Sequence, residues 1–140
     1  MIECAPLRGR EFVAKRPIIL VVEDDEAMNA LERELLAVHG FDSVPAYTGA
    51  EALRLCESCG ADGVLLDLML PEMDGFAACR ELRRRDGKQL PVVIVSALDS
   101  QTSREQGYEA GANAYFTKPF DPDEVIDTLR RFIEKTTDNG

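Results

Sequence analysis

The sequence is short of three things, and each shortage removes a class of function. It is short of positive charge: 16 lysines and arginines stand against 26 aspartates and glutamates, for a net charge of −10. That is the wrong sign for a phosphate backbone, so no direct nucleic-acid contact is expected. It is short of long apolar runs. The longest, Ile18–Val22, falls far below the roughly 20 residues of a membrane span. The N-terminal stretch MIECAPLRGREFVAKRP mixes acids among its basic residues and lacks the apolar core of a secretion signal. A cytoplasmic protein with no membrane contact is expected. Finally, it has one histidine, His39, beside four cysteines, Cys4, Cys56, Cys59 and Cys79. Cys56 and Cys59 have C-x-x-C spacing, but the chain cannot complete a tetrahedral zinc set from them and one histidine. The pair also falls at the end of a helical pattern rather than where a strand opens into a helix, so it reads as small residues on a helix.

What is present is a strict alternation. At 140 residues the chain fits one domain. IILVV (18–22), Gly63–Asp67 and VVIVS (92–96) are continuous apolar runs, as strands covered on both faces show. Ser43–Ala46 is a weaker strand that Pro45 pushes towards an edge, and Ala114–Phe116 is a short one. Between them lie helical patterns. Met28, Leu31, Leu35 and Val38 recur at helical spacing before Gly40. Thr48-Gly49-Ala50-Glu51 is a capping box opening a helix that carries Ala52, Leu53 and Cys56. Phe76–Arg84 places Cys79 and Leu82 together, and residues 102–112 suit a polar helix. Asp121-Pro122-Asp123-Glu124 starts a last helix with Val125, Leu129, Phe132 and Ile133 inward. Strands alternating with helices imply right-handed crossovers and a parallel sheet between helical layers.

In such a sheet, functional groups gather outside the carboxyl ends of the strands. Glu23, Asp24 and Asp25 follow the first strand and Asp67 the third; Ser96 ends the fourth and Lys118 lies just past the fifth. Crowded carboxylates repel, so something positive must sit among them. A hard divalent cation and the Lys118 ammonium both qualify. Magnesium favours one or two carboxylates, water and phosphate oxygens, and an Asp oxygen beside it can attack phosphorus to give an acyl phosphate. Ser96 and Lys118 could then hold the remaining oxygens of the transferred group. Taken singly, each residue has a plainer reading: Asp25 a helix cap, Ser96 a strand-end hydroxyl, Lys118 a solvated surface charge. Their joint placement at four strand ends favours the functional one.

The stretches ILVVEDDE (19–26), VLLDLMLPEMDG (64–75), VVIVSA (92–97) and GANAYFTKPF (111–120) resemble the receiver domain of bacterial two-component response regulators, over roughly residues 17–135. The resemblance implies a doubly wound five-stranded parallel sheet of order 2-1-3-4-5 with five helices, a flavodoxin-like three-layer sandwich. It implies that Asp67 is the phosphoacceptor, fed by a histidine kinase or a histidine phosphotransfer protein. Mg²⁺ would be held by Asp24 directly, by Glu23 through water, by Asp67 and by the Met69 carbonyl. Ser96 and Lys118 would meet the phosphoryl oxygens, the bond to Pro119 would be cis, and Tyr115 would be the aromatic switch, with a half-buried strand aromatic as its plainer reading. A downstream protein would read the face made by the fourth helix, fifth strand and fifth helix, with the chain a monomer or a phosphorylation-dependent dimer. Such a protein modifies itself and is not an enzyme of external turnover. Met69 and Leu98, both apolar, flank the path of a hydrolytic water, so slow self-dephosphorylation is expected.

The expected boundaries are a tail over 1–16, a receiver domain over 17–136 and a short tail over 137–140, with any output domain in another protein or in a longer chain. Three rivals use similar parts. A haloacid-dehalogenase-like phosphatase needs a second Asp two residues past the nucleophile, where Met69 stands. A flavodoxin-like FMN carrier needs a phosphate loop where Glu23-Asp24-Asp25-Glu26 would repel phosphate. A pseudo-receiver interaction module would dispense with phosphorylation, yet every expected site residue is present.

Overall fold

The computed structural model describes residues 16–86 and 90–139; Cys4 and most of the first expected tail lie outside them. The elements run β1 (Ile18–Val22), α1 (Glu26–Val38), β2 (Asp42–Ala46), α2 (Gly49–Ser58), β3 (Gly63–Leu66), α3 (Gly75–Asp86), β4 (Val92–Ser96), α4 (Gln101–Glu109), β5 (Ala114–Thr117) and α5 (Pro122–Asn139). All strands are parallel, in the order β2-β1-β3-β4-β5. The fold is the doubly wound three-layer sandwich that the alternation implies.

The continuous apolar runs have a direct cause. Leu20, Val22, Val64, Leu66, Val92 and Ile94 face one layer, where they meet Leu53 of α2 and Ala78, Cys79 and Leu82 of α3. Ile19, Val21, Leu65, Val93 and Val95 face the other, against Leu36 of α1 and Val125, Ile126 and Leu129 of α5. Neither face sees water, so period-two alternation never appears in β1, β3 or β4. Each such side chain contributes roughly 1.5–3 kcal/mol of burial. β2, at the edge, carries Pro45 in register with Val21.

The helix starts follow their capping residues. Asp25 accepts from Met28 N–H at 3.1 Å and begins α1. Thr48 accepts from Glu51 N–H at 3.0 Å, while the Glu51 carboxylate accepts from Tyr47 N–H at 2.7 Å. The glutamate therefore reaches one residue further back than a standard capping box.

The apolar stripe of α1 does not face the core: Leu35 is half-buried, but Met28, Leu31 and Val38 are 36%, 54% and 81% exposed. The buried face is Asn29, Glu32 and Leu36. The cause lies at the end of the sheet, where Asn29 Nδ2 donates to the carbonyls of Val21, Glu23 and Ala46 at 3.1, 3.0 and 3.3 Å. Arg33 Nε donates to Asn29 Oδ1 at 2.8 Å and fixes the amide orientation. Buried carbonyls need donors, and that need sets the rotation of α1.

Candidate functional site

Three backbone hydrogen bonds extend the sheet one step past its strands. Glu23 N–H donates to the Ala46 carbonyl at 3.0 Å, Asp67 N–H to Val22 at 2.9 Å and Lys118 N–H to Ser96 at 2.8 Å. The residues that leave the ends of β1, β3 and β5 are thereby locked in line along one rim. This is where an acid can follow an aliphatic run: the strand is buried, and its first outgoing residue reaches the edge.

At the centre stands Lys118. Its ammonium donates to Glu23 Oε1 at 2.8 Å and to Asp67 Oδ2 at 2.9 Å. Glu23 and Asp67 are only 3% and 6% exposed. The other Asp67 oxygen, Oδ1, accepts from Met69 N–H at 3.0 Å. Lys118 precedes Pro119 through a cis peptide bond. The Leu68–Gly75 loop is closed by Gly75 N–H on the Leu68 carbonyl at 3.1 Å. A Cβ at Gly75 would stand 2.3 Å from the Leu68 Cα, so only glycine permits that approach.

The electrostatics show a surplus of negative charge. Burial pushes the Glu23 carboxyl up to about 7, helped by Asp67 beside it and resisted by Lys118 and by Asp25 N–H. Burial works to lower the Lys118 ammonium, but its bonds to Glu23 and Asp67 outweigh that and raise it overall. One lysine does not neutralise two buried acids.

Ser96, fully buried at the end of β4, accepts from Leu98 N–H at 3.2 Å. The Leu98 carbonyl in turn accepts from the Tyr115 hydroxyl at 2.7 Å. Ser96 and Tyr115 are thus joined through the two ends of one residue. The Tyr115 ring packs inward beneath Arg104 and over Gly107, where a Cβ would stand 2.8 Å from the ring. Met69 and Leu98 sit exposed at the rim.

Asp24 is the expected site residue that does not join the others. It is exposed, and among the described residues no three acidic, cysteine or histidine side chains converge as a metal cluster. Glu23 and Asp67 nevertheless suit a hard cation. Both are all-oxygen donors, they meet at one point, and magnesium is usually held by one or two carboxylates completed by water rather than by a full protein cage. Asp24 and the Met69 carbonyl would complete that set. Sequence reasoning missed Asn29, which holds the backbone beneath Glu23, and Glu32. The available signal was a second polar-to-apolar stripe on α1, Asn29-Glu32-Leu36. Of the described cysteines, Cys56 and Cys59 lie at the end of α2, and Cys79 is buried in α3, where burial pushes its thiol up to about 11.

A family model described as response regulator receiver domain matches residues 19–130. The chain is 41% identical over 123 residues to a protein named response regulator MprA in Mycolicibacterium vanbaalenii, covering 87% of this chain and 53% of that one. It is 38% identical over 118 residues to the protein of the same name in Mycobacterium ulcerans, covering 84% and 50%. The chain therefore spans about half the length of the curated relatives it matches. Among solved structures, the Francisella response regulator 1452 receiver domain superposes with a TM-score of 0.81 at 33% identity, covering 86% of this chain and 99% of that one. The BeF3-activated N-terminal receiver domain of Klebsiella pneumoniae RstA gives 0.78 at 34% identity, covering 83% and 97%.

Proposed function

The chain belongs to the response regulator receiver domain family, and on that premise we propose that Asp67 accepts a phosphoryl group from a histidine kinase or a histidine phosphotransfer protein. The observation that carries this reading is the ammonium of Lys118 bridging two nearly buried carboxylates at the rim of the sheet. An Asp67 oxygen forms the new bond to phosphorus as the bond from phosphorus to the donor's histidine nitrogen breaks. Magnesium held by Glu23, Asp24, Asp67 and the Met69 carbonyl would supply the missing positive charge and a grip on the phosphoryl oxygens. Lys118 stays beside the acceptor and meets a phosphoryl oxygen after transfer, and the Ser96 hydroxyl meets another.

Transfer adds negative charge at the end of β3. Ser96 is drawn towards it, and its link through Leu98 carries the movement to Tyr115. The surface made by α4, β5 and α5 changes with Tyr115 and is read by a downstream protein. The chain modifies itself and turns over no external substrate. With the apolar Met69 and Leu98 flanking the phosphoryl group, neither orients a hydrolytic water, and self-dephosphorylation is slow.

Incubation with acetyl phosphate and Mg²⁺ tests the reading. The expected result is a base-labile, acid-stable adduct that chelation prevents and that Asp67→Asn abolishes. Undiminished labelling of Asp67→Asn would overturn it.

A further inference from the structure

Tyr115 is held on three sides, and a missing side chain makes one of them. Its hydroxyl donates to the Leu98 carbonyl at 2.7 Å, two residues ahead of the α4 cap at Ser100. The Arg104 guanidinium lies 5.4 Å from the ring centroid. The third side is Gly107, buried in α4. A Cβ there would stand 2.8 Å from ring Cδ2, 3.2 Å from ring Cε2 and 3.2 Å from Ile94 Cδ1. Glycine weakens a helix interior relative to alanine, and α4 has only nine residues over which to spread that cost. The room left for the ring is what glycine supplies in return.

If a methyl group filled that room, something would have to move. The end of α4 is pinned. Arg83 donates to the Gly111 carbonyl from Nε at 3.2 Å and from Nη2 at 2.8 Å, and Nη2 also reaches Asn113 Oδ1 at 3.0 Å. Asn113 is tied to β4 in both directions, its N–H donating to the Val92 carbonyl and its Oδ1 accepting from Val92 N–H, each at 2.8 Å. Ala112 N–H donates to the carbonyl of Gly107 itself at 3.1 Å. Ile94 is fully buried in β4. The Tyr115 ring stands on β5, the edge strand of the sheet, and a turn about χ1 carries it to another staggered position. The ring is therefore the group that yields.

We propose that Gly107 is a positioning residue that acts through Tyr115: by leaving the seat open, it keeps the ring inward before any phosphoryl group arrives. The Leu98 segment is then latched to β5 in the resting chain, and phosphoryl transfer pulls Ser96 against a segment already held. The α4, β5 and α5 surface is preset in its ring-in form. This deepens the switch reading above and rests on it for its consequence, while the resting seat itself needs no phosphoryl group.

The test is fluorine NMR of the unphosphorylated chain carrying 3-fluorotyrosine at Tyr47, Tyr108 and Tyr115, with the Tyr115 resonance assigned through Tyr115→Phe. Solvent exposure is read as the shift between H2O and D2O. In wild type the Tyr115 resonance is expected to show little of that shift. In Gly107→Ala it is expected to show as much as Tyr108, which is 52% exposed. Thermal melting adds a double-mutant cycle. Gly107→Ala is expected to melt below wild type. Introduced into Tyr115→Ala, the same substitution is expected to raise the melting temperature, because alanine is the better helix former once the ring is gone. A glycine needed for any other packing reason would lower both. If Gly107→Ala melts too low for NMR, the wild-type resonance and the melts in the Tyr115→Ala background decide. An exposed Tyr115 resonance in unphosphorylated wild type overturns the proposal. So does a shielded one in Gly107→Ala, or a melting loss in both backgrounds. None of these outcomes involves phosphoryl transfer, so they leave the phosphoacceptor reading intact, and failed labelling of Asp67 leaves them intact in turn.

Discussion

Two glutamates of this protein each hold hydrogen bonds to basic side chains, and they respond in opposite directions. Glu81, on α3, is bonded by Arg84 and by Arg85, the latter at 3.0 Å, and its carboxyl is held down at about 2. Glu23 has Lys118 at 2.8 Å, yet it is pushed up to about 7. The difference is setting. Glu81 lies at the surface with two cations to itself. Glu23 is buried, shares one cation with Asp67, and feels that second acid as well. A cation within hydrogen-bond reach does not settle a carboxylate's charge; burial and the neighbouring acid outweigh it. The surface triad is at rest, whereas the rim is left in want of positive charge.

The comparison breaks most visibly if Lys118, the cation that bridges the rim acids, is removed. Lys118→Met leaves Glu23 and Asp67 buried together without it, and chemical unfolding in the absence of metal should show a loss of about 3–5 kcal/mol. A loss no larger than that of a surface substitution would mean the two acids are not charged together in the folded protein. Next in size is Asn29→Ala. It removes the donor shared by the Val21, Glu23 and Ala46 carbonyls and should destabilise by about 1–3 kcal/mol in the same measurement, while letting Glu23 swing towards water.

The pH dependence separates the two settings without mutation. Glu23 and Glu32 have folded-state values raised from 4.5 to about 7, so the folded protein binds their protons more tightly than the unfolded chain. The stability they contribute is complete below about 4.5 and is lost as pH rises through about 7. Glu81 behaves in reverse: its contribution is present above 4.5 and is lost as pH falls through about 2. Metal-free protein should therefore unfold more easily at pH 8 than at pH 5, and Glu23→Gln should flatten the trend. Stability that climbs across this window would contradict the charge surplus. The smallest effect belongs to Glu81→Gln, whose melting temperature should be indistinguishable from wild type, since exposed ion pairs contribute little.

The sheet was legible in the sequence because burial on both faces writes unbroken runs of branched residues, and the rim was legible because Glu23, Asp67 and Ser96 each end or follow such a run, with Lys118 just past the short fifth strand. The phase of α1 was not. Met28-Leu31-Leu35-Val38 and Asn29-Glu32-Leu36 share nearly the same period, and hydropathy favours the wrong stripe. What decides between them is a set of three carbonyls from Val21, Glu23 and Ala46, brought together only by the fold. Glu32 was hidden for the same reason. A charge on a helix reads as solvated until the helix's rotation is known, and the convergence of Glu23 with Asp67 on one ammonium depends on rotamers that no spacing encodes.

The most direct test of the account is to find where the phosphoryl group goes. Borohydride reduces an aspartyl phosphate to homoserine, which peptide mass spectrometry locates by residue. After acetyl phosphate treatment with Mg²⁺, homoserine should appear at position 67 and nowhere else. Homoserine at Asp24 or Asp25 instead, or a phosphate that survives on Ser96, would contradict it.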